Sequence, residues 1–198
     1  LRAAVYGQAV GDALGVPYEF MPRDTFRCEG MTGYGTHNQP IGTWSDDTSM
    51  MLATLDSLIA NEWQVNTESA ITHAHAISME ACSSMVDVLR DGLIKGIWPQ
   101  ELDDEPLRGM PRDEVGSSGF VKDTYEAALW CLANTDDYAS CVLAAVNLGD
   151  DTDTTAAVAG YLAGIKYGFD AIPAQWLAVL RGRELIEDVL GRTESAWH

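Results

Sequence analysis

Apolar residues in this chain recur at intervals of three and four, and no stretch alternates convincingly with period two. That pattern dictates helices, because only a 3.6-residue turn gathers such positions on one face. Residues 2–14 carry Ala3, Val5, Tyr6, Ala9, Val10, Ala13 and Leu14, and Gly15-Val16-Pro17 stops the run. A second helix begins near Ser45 and is striped by Met50, Met51, Leu52, Leu55, Leu58 and Ile59. Further helices are expected over 67–95, after Ser117-Ser118, and beyond Asp136 or Asp137, one of which caps the helix that follows. Another starts around 151–155 and runs through Gly164, with Gly168 past its end. Pro173 opens a short helix, and Leu185, Ile186, Val189 and Leu190 mark the last. Residues 20–44 and 96–116 are rich in Gly or Pro and read as irregular. The fold class is therefore all-α.

One helix carries a second message. Gly160 and Gly164 lie four residues apart, hence on one face, among Ala156, Ala157, Ala159 and Ala163. A glycine inside a helix costs about 1 kcal/mol, so close approach of another helix is expected to compensate.

With 198 residues, of which 46% are hydrophobic, the chain is long enough for one domain with a sizeable core. No apolar run reaches the roughly 18–20 residues of a membrane span, and the first seven residues are too quickly polar for a secretory signal. Thirty acids against twelve bases give a net charge of −18, which repels nucleic-acid backbones and anionic lipid. Cys28, Cys82, Cys131 and Cys141 show no zinc spacing and read as reduced thiols, mostly buried. A cytoplasmic protein without nucleic-acid or membrane partners is the expectation.

The acids are not spread evenly. Gly42-Thr43-Trp44-Ser45-Asp46-Asp47-Thr48 sits at a loop-to-helix boundary, where N-capping by Ser45 accounts for it by itself. Capping does not account for Gly149-Asp150-Asp151-Thr152-Asp153-Thr154, which puts three carboxylates into four residues. Their mutual repulsion is costly unless cations neutralise it. Asp151 and Asp153 project to one side if the segment is extended, and Thr154 adds a hard oxygen. Oxygen-only ligation suits Mg²⁺, Mn²⁺ or Ca²⁺. An EF-hand beginning at Asp151 is excluded, since Ala156 and Leu162 stand where Gly and Glu are needed. Two acidic helix starts instead suggest a site for two cations, able to activate water and hold substrate oxygens. Asp151-Thr152-Asp153-Thr154-Thr155 also fits a phosphotransferase D-x-D-x-T motif, which would need a buried strand before it.

These same residues resemble a known family. Gly7-Gln8-Ala9-Val10-Gly11-Asp12-Ala13-Leu14-Gly15-Val16-Pro17-Tyr18-Glu19 is similar to the opening motif of the ADP-ribosylglycohydrolases. Trp44-Ser45-Asp46-Asp47-Thr48-Ser49-Met50 resembles their W-[ST]-D-D-T-x-M motif, and Gly149 to Thr154 their G-[GD]-D-T-D-T motif. Ser118-Gly119-Phe120-Val121 and the tail with Gly168, Pro173 and Trp176 follow in family order. The resemblance implies a compact orthogonal helical bundle that hydrolyses the glycosidic bond of ADP-ribose on a protein side chain, with two Mg²⁺ or Mn²⁺ ions. It implies Ser45, Asp46, Asp47, Asp151, Asp153 and Thr154 as metal ligands. Glu19, Asp46 and Asp47 are the candidates for the catalytic carboxylate. His37, Asn38, Gln39 and Gly119 are candidates for the substrate side.

The chain departs from the family between Ser45 and Ile71. Members carry a G-N-G-[SA]-x-M-R type segment there, and nothing here matches it, so residues 1–198 read as one domain lacking a segment near 63–68. His73 and His75 follow the family pattern but read as structural. The loss leaves open a module that binds ADP-ribose or a related nucleotide without cleaving it, with a Mg²⁺-dependent phosphohydrolase as a weaker alternative.

Overall fold

The structure, a computed structural model, describes residues 1–60 and 107–197. Its α-helices are α1 (Arg2–Gly15), α2 (Asp46–Ala60), α3 (Val121–Ala133), α4 (Tyr138–Val146), α5 (Thr152–Tyr167), α6 (Ala174–Val179) and α7 (Arg183–Trp197). Among the described residues no strand forms, and the one isolated bridge joins Tyr34 to Gln39. The helix expected over 67–95, His73, His75, Cys82 and the junction near 63–68 lie outside the described residues.

Helices α1 and α5 pack with their backbones in contact. A β-carbon on Gly7 would lie 2.2 Å from the carbonyl oxygen of Gly160, one on Gly11 2.0 Å from that of Ala156, and one on Gly164 2.1 Å from that of Ala3. The small residues read from the sequence are thus the condition for this approach. The glycine penalty is offset by backbone-to-backbone dispersion and by burial of both helices. Helix α5 is buried nearly all round, with Ala156, Ala159, Leu162 and Ala163 inaccessible to solvent. Helices α3 and α4 cover its remaining sides with Ala127, Ala128, Leu132, Val142 and Val146. Asp137 caps α4, its carboxylate accepting from the Ser140 N–H at 2.8 Å. The fully buried Tyr138 hydroxyl donates to the Gly7 carbonyl at 2.8 Å, tying α4 to α1.

Helix α7 crosses the far side, burying Ile186, Val189 and Leu190 and touching both α1 and α2. Glu187 on its outer edge takes a bidentate pair from Arg2 at 2.6 and 2.8 Å and the Tyr6 hydroxyl at 2.6 Å. Cys28, Cys131 and Cys141 are buried free thiols. No helix among the described residues is long and apolar enough to cross a membrane.

The segment before Asp151 is helix α4 followed by a turn, so the buried strand that a D-x-D-x-T phosphotransferase needs is missing. Asp153 also differs from expectation. It lies in the first turn of α5 rather than in an extended stretch, because α5 begins at Thr152.

Candidate functional site

The N-termini of α2 and α5 meet over the C-terminal half of α1. Asp12, Asp47 and Asp153 each bring an oxygen within 4.8 Å of the others, and so do Glu19, Asp151 and Asp153. Asp153 belongs to both groups. The two sequence clusters are bridged directly, since the Thr154 hydroxyl donates to Asp47 Oδ2 at 3.2 Å. The Ser45 hydroxyl reaches the same oxygen at 3.2 Å.

Each side chain is placed by an identifiable contact. A β-carbon on Gly15 would fall 2.3 Å from the Asp153 Cα, so only glycine lets α5 start where it does. The Thr152 hydroxyl anchors that start by donating to the Gly15 carbonyl at 2.9 Å. On the other side, Trp44 Nε1 donates to the Arg181 carbonyl at 2.8 Å and Arg181 N–H to the Gly42 carbonyl at 2.9 Å. The turn before α7 thereby grips the strip leading into Ser45.

Glu19 and Asp151 are held by a short pairing of distant segments. Phe20 N–H donates to the Asp150 carbonyl at 2.7 Å, and Asp150 N–H to the Met21 carbonyl at 2.9 Å. Arg23 locks this pairing, its guanidinium donating to the carbonyls of Leu148, Arg112 and Val115 at 2.6–2.7 Å and reaching the Ser117 hydroxyl at 3.1 Å. Asp151 N–H donates to the Ser117 carbonyl at 3.1 Å. Gly119 lies against the carboxylate of Asp151, whose Oδ2 is 3.0 Å from where a β-carbon would sit. Four non-glycine residues around the site have positive φ: Phe20, Tyr34, Asn38 and Asp150, at 66°, 70°, 52° and 61°. Such backbone is costly and persists only where surroundings enforce it.

Burial and like charge set the electrostatics. Asp47 is pushed up from 3.8 to about 7, first by burial and then by Asp12, Asp46 and Asp151. Asp153 is pushed up to about 8, first by burial and then by Glu19, Asp47, Asp12 and Asp151. Asp12 is also raised, by burial. Among the described residues no Lys or Arg pairs with any of Asp12, Asp47, Asp151 and Asp153. Carboxylates this close without a counter-ion could hold a hard divalent cation.

The positions of the other expected residues vary. His37 Nε2 pairs with Glu19 Oε2, which draws its loop onto the site. Asn38 and Gln39 are exposed on the same loop, and their backbones close it, Tyr34 N–H donating to the Gln39 carbonyl. Asp46 is exposed and stands outside both carboxylate groups. Asp150 turns away to the Ser117 hydroxyl at 3.2 Å.

Sequence reasoning missed Asp12 and Arg23. Asp12 had a usable signal, a lone charge inside a helix of small apolar residues, where a carboxylate needs partners. Arg23 had none, because its acceptors are backbone carbonyls about ninety and more residues away.

The chain resembles known proteins along most of its length. The sequence profile described as ADP-ribosylglycohydrolase matches residues 1–84 and 64–197. An ADP-ribosylarginine hydrolase Tri1 of Serratia proteamaculans is 28% identical over 282 aligned positions, covering 95% of this chain and 77% of that protein. The ADP-ribosyl-[dinitrogen reductase] glycohydrolase of Rhodospirillum rubrum is 36% identical over 137 positions, 65% of this chain and 46% of that one. A solved structure, an ADP-ribosylglycohydrolase-related protein complex, superimposes with a TM-score of 0.78 at 27% identity, covering 98% of this chain and 96% of the other. With its profile match, helical fold and acidic helix starts in agreement, the chain belongs to the ADP-ribosylglycohydrolase family of hydrolases.

Proposed function

We propose that this chain cleaves the glycosidic bond between ADP-ribose and a protein side chain, with arginine the first linkage to test, using two Mg²⁺ or Mn²⁺ ions. Asp47, Asp151, Asp153, Thr154 and Ser45 would hold the ions, with Asp46 at the exposed rim. The observation that carries this reading is the placement of Asp153 in both carboxylate groups, in a buried acidic cluster with no Lys or Arg paired to it among the described residues. The bound cations would supply Lewis acidity, lowering the pKa of a water and fixing ribose hydroxyls.

The chain's own residues do the rest. Glu19 is the candidate base that its position supports best, close to Asp151 and Asp153 and oriented by His37. Glu19 takes the proton of a water whose oxygen bonds to the anomeric carbon. The bond from that carbon to the side-chain nitrogen or oxygen breaks, and the leaving group takes up a proton from solvent. Gly119 leaves room beside Asp151, and the 35–39 loop with His37, Asn38 and Gln39 borders the site as candidate substrate contacts. The relatives named for ADP-ribosylarginine and ADP-ribosylated dinitrogen reductase support this substrate class.

We also read residues 1–198 as a single domain that lacks a family segment near 63–68. The alignment of 282 positions to a chain of 198 residues supports a missing stretch, because the relative carries residues with no counterpart here, while its place near 63–68 rests on the sequence motifs alone.

The test is incubation with arginine-ADP-ribosylated protein in Mg²⁺ or in chelator, with free ADP-ribose measured by chromatography. Release that requires the cation and disappears in Asp153→Asn supports the proposal. Calorimetric binding of ADP-ribose without release would make the chain a binding module instead.

A further inference from the structure

We infer that Asp12 is the positioning residue of the Ser45–Asp47 segment, capping α2 from a different helix and so acting on the proposed metal ligands without being one. The inference rests on the metal-centre reading only for its consequence, since the capping itself is independent of any ion.

Asp12 is wholly inaccessible to solvent in the last turns of α1. Its Oδ1 accepts the Ser45 N–H at 2.8 Å. Its Oδ2 accepts the Thr48 N–H at 2.9 Å and the Thr48 hydroxyl. Three of the roughly four acceptor directions of a carboxylate are thus taken by one helix end. A helix start leaves N–H groups without partners, and the side chain just before it ordinarily supplies the acceptor. The sequence offers Ser45 for that task, and its hydroxyl does accept the Asp47 N–H, at 3.4 Å, while donating to Asp47 Oδ2 at 3.2 Å. Asp12 completes the cap by taking the Ser45 and Thr48 N–H groups, and the Ser45 hydroxyl proton stays directed at the cluster. Gln8, one turn earlier on α1, adds a second tether by donating to the Asp47 carbonyl at 3.1 Å. Because α1 also meets α5 at Gly15 and Asp153, one helix sets both acidic segments relative to each other.

Asp12 has an oxygen within 4.8 Å of oxygens of Asp47 and Asp153, so direct ligation is the competing reading. Thr48→Val loosens the cap while leaving every acid in place, and Asp12→Asn also removes the charge that ligation needs, so comparing the two variants separates the readings. Two measurements apply to both variants and to the unaltered chain: Mn²⁺ binding by calorimetry, and amide hydrogen exchange of the metal-free protein. The inference expects both variants to weaken Mn²⁺ binding to a similar extent, about tenfold, because each loosens the Ser45–Asp47 segment from behind the ligands. It expects faster exchange at Ser45 and Thr48 in both variants, on the order of tenfold in Asp12→Asn, with Val10 and Leu162 unchanged.

Unchanged or tighter Mn²⁺ binding in Thr48→Val would overturn positioning, and an Asp12→Asn loss roughly a hundredfold beyond that of Thr48→Val, or loss of one bound ion, would overturn it in favour of ligation. Should Asp12→Asn fail to fold, Thr48→Val alone decides. If the unaltered chain takes up no Mn²⁺, the metal-centre reading fails, and exchange still decides the role of Asp12. Protection at Ser45 and Thr48 equal to that of the unaltered chain would then refute it.

Discussion

The Asp153 Cα occupies the space that any side chain on Gly15 would need, 2.3 Å from the position of a β-carbon there. A carboxylate shared by both acidic groups therefore depends on the absence of a side chain on another helix. Gly15→Ala should displace the start of α5 and cost roughly 1–3 kcal/mol of stability, the usual range for overpacking a tight core. The melting temperature should drop while far-ultraviolet circular dichroism stays helical, and cation-dependent activity should fall further than stability. Activity retained at the level of the unaltered chain would show that α5 can shift without moving Asp153 out of place.

The raised carboxyls make metal-free stability depend on pH. Asp47 and Asp153 titrate at about 7 and about 8 in the folded chain, against 3.8 ordinarily. Between these limits the folded chain holds protons that the unfolded chain has released, so stability falls as pH rises through that window. In chelator the melting temperature should decline from pH 5 to pH 8. Saturating Mg²⁺ should raise it more at pH 8 than at pH 5, because the cation binds the ionised form. A flat profile in chelator would contradict the electrostatic account.

Charge removal at two acids should have opposite consequences for stability and function. Asp153→Asn removes a buried group held against repulsion, so in chelator near pH 8 it should stabilise the chain, by on the order of a few kcal/mol. The same change should abolish hydrolysis. Asp46→Asn alters an exposed carboxylate outside both groups, and its effect on melting should stay within about 0.5 kcal/mol. Melting curves with and without Mg²⁺ and ADP-ribose release compare the pair directly.

Arg23 ties residues 112–117 to residue 148 through one side chain reaching three carbonyls, beside the Ser117 hydroxyl that donates to the Leu148 carbonyl at 3.2 Å. Arg23→Lys should not substitute, because an ammonium lacks the planar fork that serves these acceptors together. Leaving buried carbonyls unpaired costs about 1–3 kcal/mol each. The expected result is a lower melting temperature together with a raised KM, as Gly119 and Asp151 lose their fixed place. An unchanged KM would mean that the pairing of Phe20 and Met21 with Asp150 suffices.

Much of the architecture was legible in the chain itself. Three- and four-residue spacing defined the helices, Asp136-Asp137 held their most evident cap, and Gly160 with Gly164 announced a close neighbour. The acidity of Asp46-Asp47 and Asp151-Thr152-Asp153 marked the site, because local repulsion among carboxylates is visible wherever they are adjacent in sequence. Sequence could not say which of these acids would be buried. Asp47 went inward while Asp46 stayed out, since a helix turns successive residues about 100° apart and the packing partner selects the face, and Asp150, before the start of α5, is turned out by its left-handed backbone.

What only tertiary structure decided are the contacts between residues remote in the chain. The capping of α2 by Asp12 spans more than thirty positions, the bridge from Thr154 to Asp47 more than a hundred, and the grip of Arg23 about as many. No local pattern encodes these, because hydrogen-bond acceptors such as backbone carbonyls occur at every residue and acquire meaning only by proximity. The composition of the site was written along the chain, and its geometry arose when glycine-lined α1 and α5 closed to backbone contact.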